Sequence, residues 1–267
     1  MNDYRSHLSV TLWAALAVLA LGTVLPLPER TLSAQIFGSP VTVVVTARML
    51  TGLVAVVIVC AGLEAAIRTH PRPELLNHTY RYWGLPSAIV LAAAAVLPTA
   101  PSDAWWLVGL AITGLALGAA AIAEYHVIDH DHPRFHNARL ALNGLCYALA
   151  ALAFVLIYSS RSRSLVSATL ISGIGGLLAL DLLRESTRGH LAALLYGAVT
   201  AVVLAQFTWV LNYWPHLSIR VGMILLVVFY LLVGLAHQEL LGRLTRLRAA
   251  EYLVLAGIVA ALLVWFP

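Results

Sequence analysis

Nine long apolar runs dominate the chain and leave it few ways to fold. They span about Leu8–Leu25, Val41–Ile67, Trp83–Leu97, Ala104–Tyr125, Pro133–Tyr158, Leu165–Leu183, His190–Asn212, Ser218–Leu240 and Ala250–Phe266. In hydrocarbon every backbone polar group must be bonded within the protein, so a run of about 20 apolar residues is read as a transmembrane helix. The runs are too long and too continuously apolar for the strands of an outer-membrane barrel, which alternate over about ten residues. Only 10% of the residues are charged, against roughly 25% in a soluble domain. The expected fold class is all-α: one integral membrane domain, residues 1–267, built as a transmembrane helix bundle of nine spans, or eight if the short third run is re-entrant. The first run follows Arg5 and His7 as a signal peptide would. It is long for one, and Leu32-Ser33-Ala34 is a poor cleavage site, so a retained anchor is expected.

Local chemistry marks several boundaries. Pro40 suits the first turn of the second span, where a missing N–H costs nothing. Pro98 and Pro101 end the third, and Ser102-Asp103 caps the fourth.

All sixteen basic residues are arginine, which removes any lysine chemistry, including a retinal or pyridoxal Schiff base. Alternate tails and loops divide the arginines 11 to 4, with Arg48 falling inside the second span. The richer side holds Arg5, Arg68, Arg72, Arg81, Arg134, Arg139, Arg184, Arg188, Arg243, Arg246 and Arg248. The positive-inside rule places that side, and the amino terminus, in the cytoplasm. The net charge of +4 therefore reads as topology bias and not as affinity for nucleic acid. Trp105, Trp106, Trp209 and Trp214 fall near the opposite interface, where indole rings settle.

On this topology Glu64, Glu124, Arg139, Asn143, Asp181, Arg184, His190, His237, Glu239 and Glu251 gather at the cytoplasmic ends of spans. Ionisable residues in spans are costly and are candidate functional residues; near helix ends they also snorkel to water or pair structurally. Arg48 is placed about two turns into the second span and needs a partner from elsewhere. Asp181 and Arg184 lie at i, i+3 and are expected to pair on one helix. The ligand- or partner-binding candidates are Arg48, Glu64, Glu124, Arg139, Asn143, Asp181 and His237, lining a wet cytoplasmic vestibule.

The densest polar stretch is EYHVIDHDHPRFHNAR, residues 124–139, between the fourth and fifth runs. His126 and His130 are four apart, as are His132 and His136, the spacing of a two-histidine metal clamp on a helix. Asp129 to Asp131 is turn chemistry, however, and Pro133 pushes His132 out of helical geometry. Asp131 or His132 is then the cap of the fifth helix, with His136 in its first turn. There is no His-His dipeptide; His70, His78, His190 and His237 fall on the same side and would have to complete a site. A divalent metal is the only cofactor this pattern suggests, and a pH-sensitive hydrated loop is the competing reading.

Cys60 and Cys146 lie within apolar runs and read as packing residues. Gly114 and Gly118, and the patch Ser172, Gly173 and Gly176, read as close helix contacts. Gln238 to Arg243 brushes against the EExxxR motif of membrane-embedded proteases, but glutamine replaces the first acid and no room remains downstream for that motif's histidines.

Three segments carry a resemblance. They are Ala61-Gly62 through Arg68-Thr69-His70-Pro71, Ala138-Arg139-Leu140 with Asn143, and Ser164-Leu165 through Leu180-Asp181-Leu182-Leu183. In these the chain resembles an uncharacterised family of bacterial polytopic membrane proteins, which implies no catalytic residues and no substrate. The expectation is a non-enzymatic protein of a bacterial inner membrane, transporter-like or an accessory subunit. Its partners would be the bilayer, other membrane subunits or an anionic small molecule, suited to arginine's planar fork. The alternative is a metal-dependent enzyme acting on a lipid through His126, His130, His132 and His136.

Overall fold

Each of the nine apolar runs carries a helix. The computed structural model describes residues 3–24, 30–36, 39–72, 79–129, 131–160, 164–184, 190–213 and 218–265. Among them are helices α1 (Asp3–Val24), α2 (Ala47–Arg68), α3 (Gly84–Val96), α4 (Asp103–Val127), α5 (Phe135–Ser159), α6 (Ser164–Leu183), α7 (His190–Leu211), α8 (Ser218–Leu240) and α9 (Arg246–Trp265). Seven of these (α1, α2 and α4 to α8) are long and apolar enough to cross a membrane. Their outer faces carry exposed Leu53, Val57, Ile112, Leu115, Leu177 and Val199, an apolar surface far beyond what a water-soluble monomer leaves uncovered.

The second run departs from expectation. Its opening is not helical: β1 (Arg30–Ile36) and β2 (Ser39–Val45) form an antiparallel hairpin, with Leu32 opposite Val43 and Ala34 opposite Val41. The reason is local. Thr31 to Ile36 alternates polar with apolar, and Val41-Thr42-Val43-Val44-Val45 is an unbroken β-branched run that favours extended backbone. Pro40 pairs with Gln35 in the strand, not in a helical turn. The helix begins only after Thr46, whose side chain accepts from the Met49 N–H at 3.4 Å. Arg48 therefore lies in the first turn of α2, not two turns deep; its side chain lies outside the described residues.

Elsewhere the boundaries follow the caps. Ser102 accepts from the Trp105 N–H at 3.5 Å and starts α4. Helix α3 has 13 residues, roughly 20 Å of rise against a hydrocarbon core of about 30 Å. A 3-10 turn at Leu97–Thr99 ends it, with Pro98 near the start of that turn. Helix α5 starts two residues beyond Pro133, and α9 starts four residues before Ala250, taking in Arg246 and Arg248.

The chain divides into two compact units, Met1–Leu142 and Asn143–Pro267, with the boundary inside α5. In the first, α1 packs along α2 and α4, and α3 fills the space between α2 and α4. The approach of α1 to α2 depends on Gly62: any Cβ there would collide with the Thr11 side chain. Gly114 and Gly118 lie under Leu16 and Leu12 of α1, so the small pair is a helix contact, as expected. The Cys60 thiol lies 3.3 Å from the Ser87 hydroxyl and links α2 to α3.

In the second unit α6 lies against α7, where a Cβ on Gly176 would meet Ala201 at 3.0 Å. Gly173, from the same patch, faces open space. Phe154, Tyr147, Phe229, Tyr230 and Tyr252 form a ring cluster joining α5, α8 and α9, with centroids 5.7–6.0 Å apart. The Tyr158 hydroxyl donates to the Leu211 carbonyl at 2.8 Å. Both cysteines are free thiols.

Candidate functional site

The polar residues of the first unit meet where α1 begins and α4 ends. Tyr4 stacks on Tyr125 with centroids 4.2 Å apart and planes 6° from parallel. His70 tilts against the other side of this region at 5.2 Å from the Tyr125 ring. The rings of His126 and His132 approach edge to face at 4.9 Å. Arg72, on the segment following α2, reaches Asp129 at 2.9 Å and Asp131 at 3.8 Å. Asp129 also builds the turn, accepting the Asp131 N–H on its side chain and the His132 N–H on its carbonyl, each at 3.1 Å. The turn expected at these residues is thus made by Asp129, but the cap of α5 is neither Asp131 nor His132: the His132 carbonyl accepts the Phe135 N–H at 2.9 Å inside the turn, and Arg134, whose carbonyl accepts the Ala138 N–H at 2.9 Å, is the residue before the helix.

Hydrogen bonding sets the state of each imidazole. The Nδ1 of His126 faces the Ile122 carbonyl at 2.7 Å; a carbonyl only accepts, so this nitrogen carries a proton. The Nδ1 atoms of His70 and His132 each accept a backbone N–H two residues on, from Arg72 at 3.2 Å and Arg134 at 3.1 Å. In those two rings the neutral form carries its proton on Nε2. Burial lowers the pKa of His70 below its ordinary value, opposed by the charge of Asp129 and aided by Arg72 and His132.

Beside this cluster lies a pocket of about 460 Å³ walled by α1, α2 and α4. One end is polar, with Tyr4, Arg5, His126 and Arg134; the rest is mostly apolar, with Leu8, Leu12, Val59, Leu63, Leu117 and Ile122 among its walls. Ser9 and Thr11 also line it, their hydroxyls donating to the Ser6 and His7 carbonyls. No carboxylate among the described residues lines it. Among the described residues, neither Arg5 nor Arg134 forms an ion pair. Arg5 donates to the Tyr4 hydroxyl at 3.2 Å. The pocket therefore combines two guanidinium groups that lack an ion pair among the described residues with a mostly apolar slot.

The residues nominated from sequence take several places. Glu64 accepts from Arg68 Nε at 2.8 Å and from the Thr79 hydroxyl at 3.1 Å, tying the segment after α2 back onto the helix. Its Oε2 is buried outside hydrogen-bond geometry, as is the indole N–H of Trp83 beside it. Glu124 is fully buried in α4. Arg139 is half-buried on α5.

In the second unit Asp181 pairs with Arg184 at 3.0 Å on one helix, both largely buried, as the i, i+3 spacing predicts. The Cys146 thiol points at the other oxygen of Asp181 at 3.7 Å. Asn143 and His237 are half-buried there. The nominated residues thus fall in two units, Glu64, Glu124 and Arg139 in one and Asn143, Asp181 and His237 in the other.

Of the four histidines, His126 and His132 are brought together, a pair that neither i, i+4 spacing suggested. His136 is exposed in the first turn of α5, and His130 lies outside the described residues, as does His78. Among the described residues no group of three or more His, Cys, Asp or Glu is arranged to hold a metal ion. Sequence reasoning missed that Arg5 and Arg134 line one pocket. The arginine alternation put both on one side, but only tertiary packing brings the start of α1 and the turn before α5 to that pocket.

These features define a class: a helical protein with seven helices of membrane-crossing length and an arginine-flanked pocket at the end of three helices. Within it, residues 27–266 match the model of DUF5656, a family described as protein of unknown function, and the chain belongs to that family. Helix α1, which supplies Tyr4 and Arg5, precedes the matched segment. No curated protein and no solved structure matches the chain.

Proposed function

We propose that this chain is a non-enzymatic multi-pass protein of a bacterial inner membrane, transporter-like or an accessory subunit, with its amino terminus in the cytoplasm. It binds an anionic ligand at the pocket between α1, α2 and α4. One observation carries the reading: Arg5 and Arg134 line a 460 Å³ pocket whose described lining has no acid. Two positive charges with no ion-pair partner among the described residues, at the edge of a low-dielectric cavity, attract an anion, and the planar guanidinium grips carboxylate or phosphate through paired hydrogen bonds. The volume is within the range of small-molecule sites, about 300–1,000 Å³. The arginine bias supports the orientation.

The test is thermal stabilisation of the purified protein by a panel of anions running from inorganic phosphate to anionic phospholipid. Stabilisation by at least one member, lost in the Arg5→Gln/Arg134→Gln double variant, is the expected result. Indifference to the whole panel overturns the reading. Metal analysis separates it from the enzyme alternative: stoichiometric metal that disappears in His126→Ala would favour metal-dependent lipid chemistry instead. A reporter at Pro267 that is active in the cytosol would refute the orientation.

A further inference from the structure

Resting on that reading, we infer that the occupant of the pocket is one molecule of an anionic phospholipid, its phosphate between Arg5 and Arg134 and one acyl chain in the slot below. The argument is the direction of the polarity gradient. Tyr4 opens the membrane-length part of α1, and Val127 closes that of α4, so the polar end of the pocket stands where two such helices end. Along α1 from Tyr4 to Leu12, and along α4 from His126 to Gly118, the lining descends eight residues, roughly 12 Å at 1.5 Å each. Over that depth it changes from guanidinium, phenol and imidazole to mainly leucine, valine and glycine, with the Ser9 and Thr11 hydroxyls turned back onto carbonyls of their own helix.

A small anion would occupy the mouth and leave the apolar slot unfilled. A neutral lipid would fill the slot and leave both guanidinium groups unanswered. An anionic phospholipid satisfies both ends, and its headgroup sits at the level where the helices end. Gly118 keeps the slot open: a Cβ there would meet only Leu12, at 3.9 Å. The pocket is partly open, and Ile122 of its lining is exposed on a helix of membrane-crossing length, so a lipid would enter laterally from the bilayer.

The experiment uses the full chain in mild non-ionic detergent, with native mass spectrometry as readout. Phosphatidylglycerol, diacylglycerol of the same chains and inorganic phosphate are titrated separately. Phosphatidylglycerol is expected to bind one per chain and about tenfold more tightly than diacylglycerol, which has no phosphate, the change given by one charge-assisted hydrogen bond. Arg5→Gln/Arg134→Gln should erase that preference, and Gly118→Phe, which fills the slot, should abolish retention of the lipid. If Gly118→Phe does not fold, Ile122→Trp at the rim takes its place.

If inorganic phosphate binds in an arginine-dependent way and the slot-filling variants still bind as the native chain does, the lipid inference fails while the anion reading stands. If phosphatidylglycerol and diacylglycerol bind alike, the lipid inference fails; if the arginine variant changes nothing for phosphatidylglycerol or for inorganic phosphate, both fail.

Discussion

The ring of Tyr4 lies flat on the ring of Tyr125, 4.2 Å away and 6° from parallel. This contact fixes the start of α1 to the last turns of α4 and so sets the width of the pocket mouth. Offset aromatic pairs contribute about 0.5–1.5 kcal/mol beyond their burial. Tyr4→Ala should lower stability by about that amount and weaken binding at the pocket, whereas Tyr4→Phe keeps the stack and should leave stability nearly unchanged. Thermal unfolding in detergent measures the first effect, and ligand titration the second.

Gly62 is the second control on α1. Its α-carbon faces the Thr11 side chain at a separation that leaves no room for a methyl group. Gly62→Val should cost about 1–3 kcal/mol by overpacking. Thr11→Ala in the same chain should recover part of that loss, because the two sites share one contact. A double-mutant cycle on unfolding midpoints reads the coupling; strictly additive effects would show that the helices do not meet there.

His70 gives the protein a pH dependence with a defined sign. Its folded-state pKa lies below the ordinary value of 6.5, chiefly because the ring is buried. The Arg72 N–H also occupies Nδ1, so a second proton on the ring must displace that bond. With a depressed folded pKa the unfolded chain binds the proton first as pH falls. The contribution of His70 is therefore complete above about pH 6.5 and is lost as pH drops from there towards the folded value. His70→Gln should flatten the stability curve below about pH 6.5, where the unfolded histidine begins to take up its proton. An unchanged slope in that variant would assign the dependence to other groups.

Asp181 and Arg184 form a largely buried ion pair in the second unit. Removing one partner of such a pair costs about 3–5 kcal/mol. Asp181→Ala should be destabilising on that scale. The Asp181→Leu/Arg184→Leu double variant should be milder, since both charges are removed together. If the double variant is as damaged as the single one, the pair has a role beyond neutralising itself, and the neighbouring Cys146 thiol becomes the first place to look.

Much of this molecule is legible in its residues. Length and unbroken hydrophobicity alone dictate helices of membrane-crossing length. Ser102 marks the start of α4, and Pro98 and Pro101 mark the end of α3. Asp181 and Arg184 predict their own pairing, because residues three apart on a helix share a face. The hairpin at 30–45 was also written locally, in the alternation of Thr31 to Ile36 and the β-branched run Val41 to Val45. Overall hydrophobicity hides it, since valine scores as membrane-like whether it sits in a helix or a strand.

What composition and spacing leave open is which distant side chains become neighbours. Arg5 and Arg134 lie at opposite ends of the first unit's sequence, and Tyr4 meets Tyr125 only because α1 folds back along α4. His126 finds His132 across a turn built by Asp129, whereas the helical repeat paired it with His130. Secondary structure and burial are short-range properties of sequence, fixed by backbone hydrogen bonding and transfer out of water. The pocket, its two cations and its apolar slot arise from how three helices pack, and that is settled by glycine clearances and ring contacts between residues far apart in the chain.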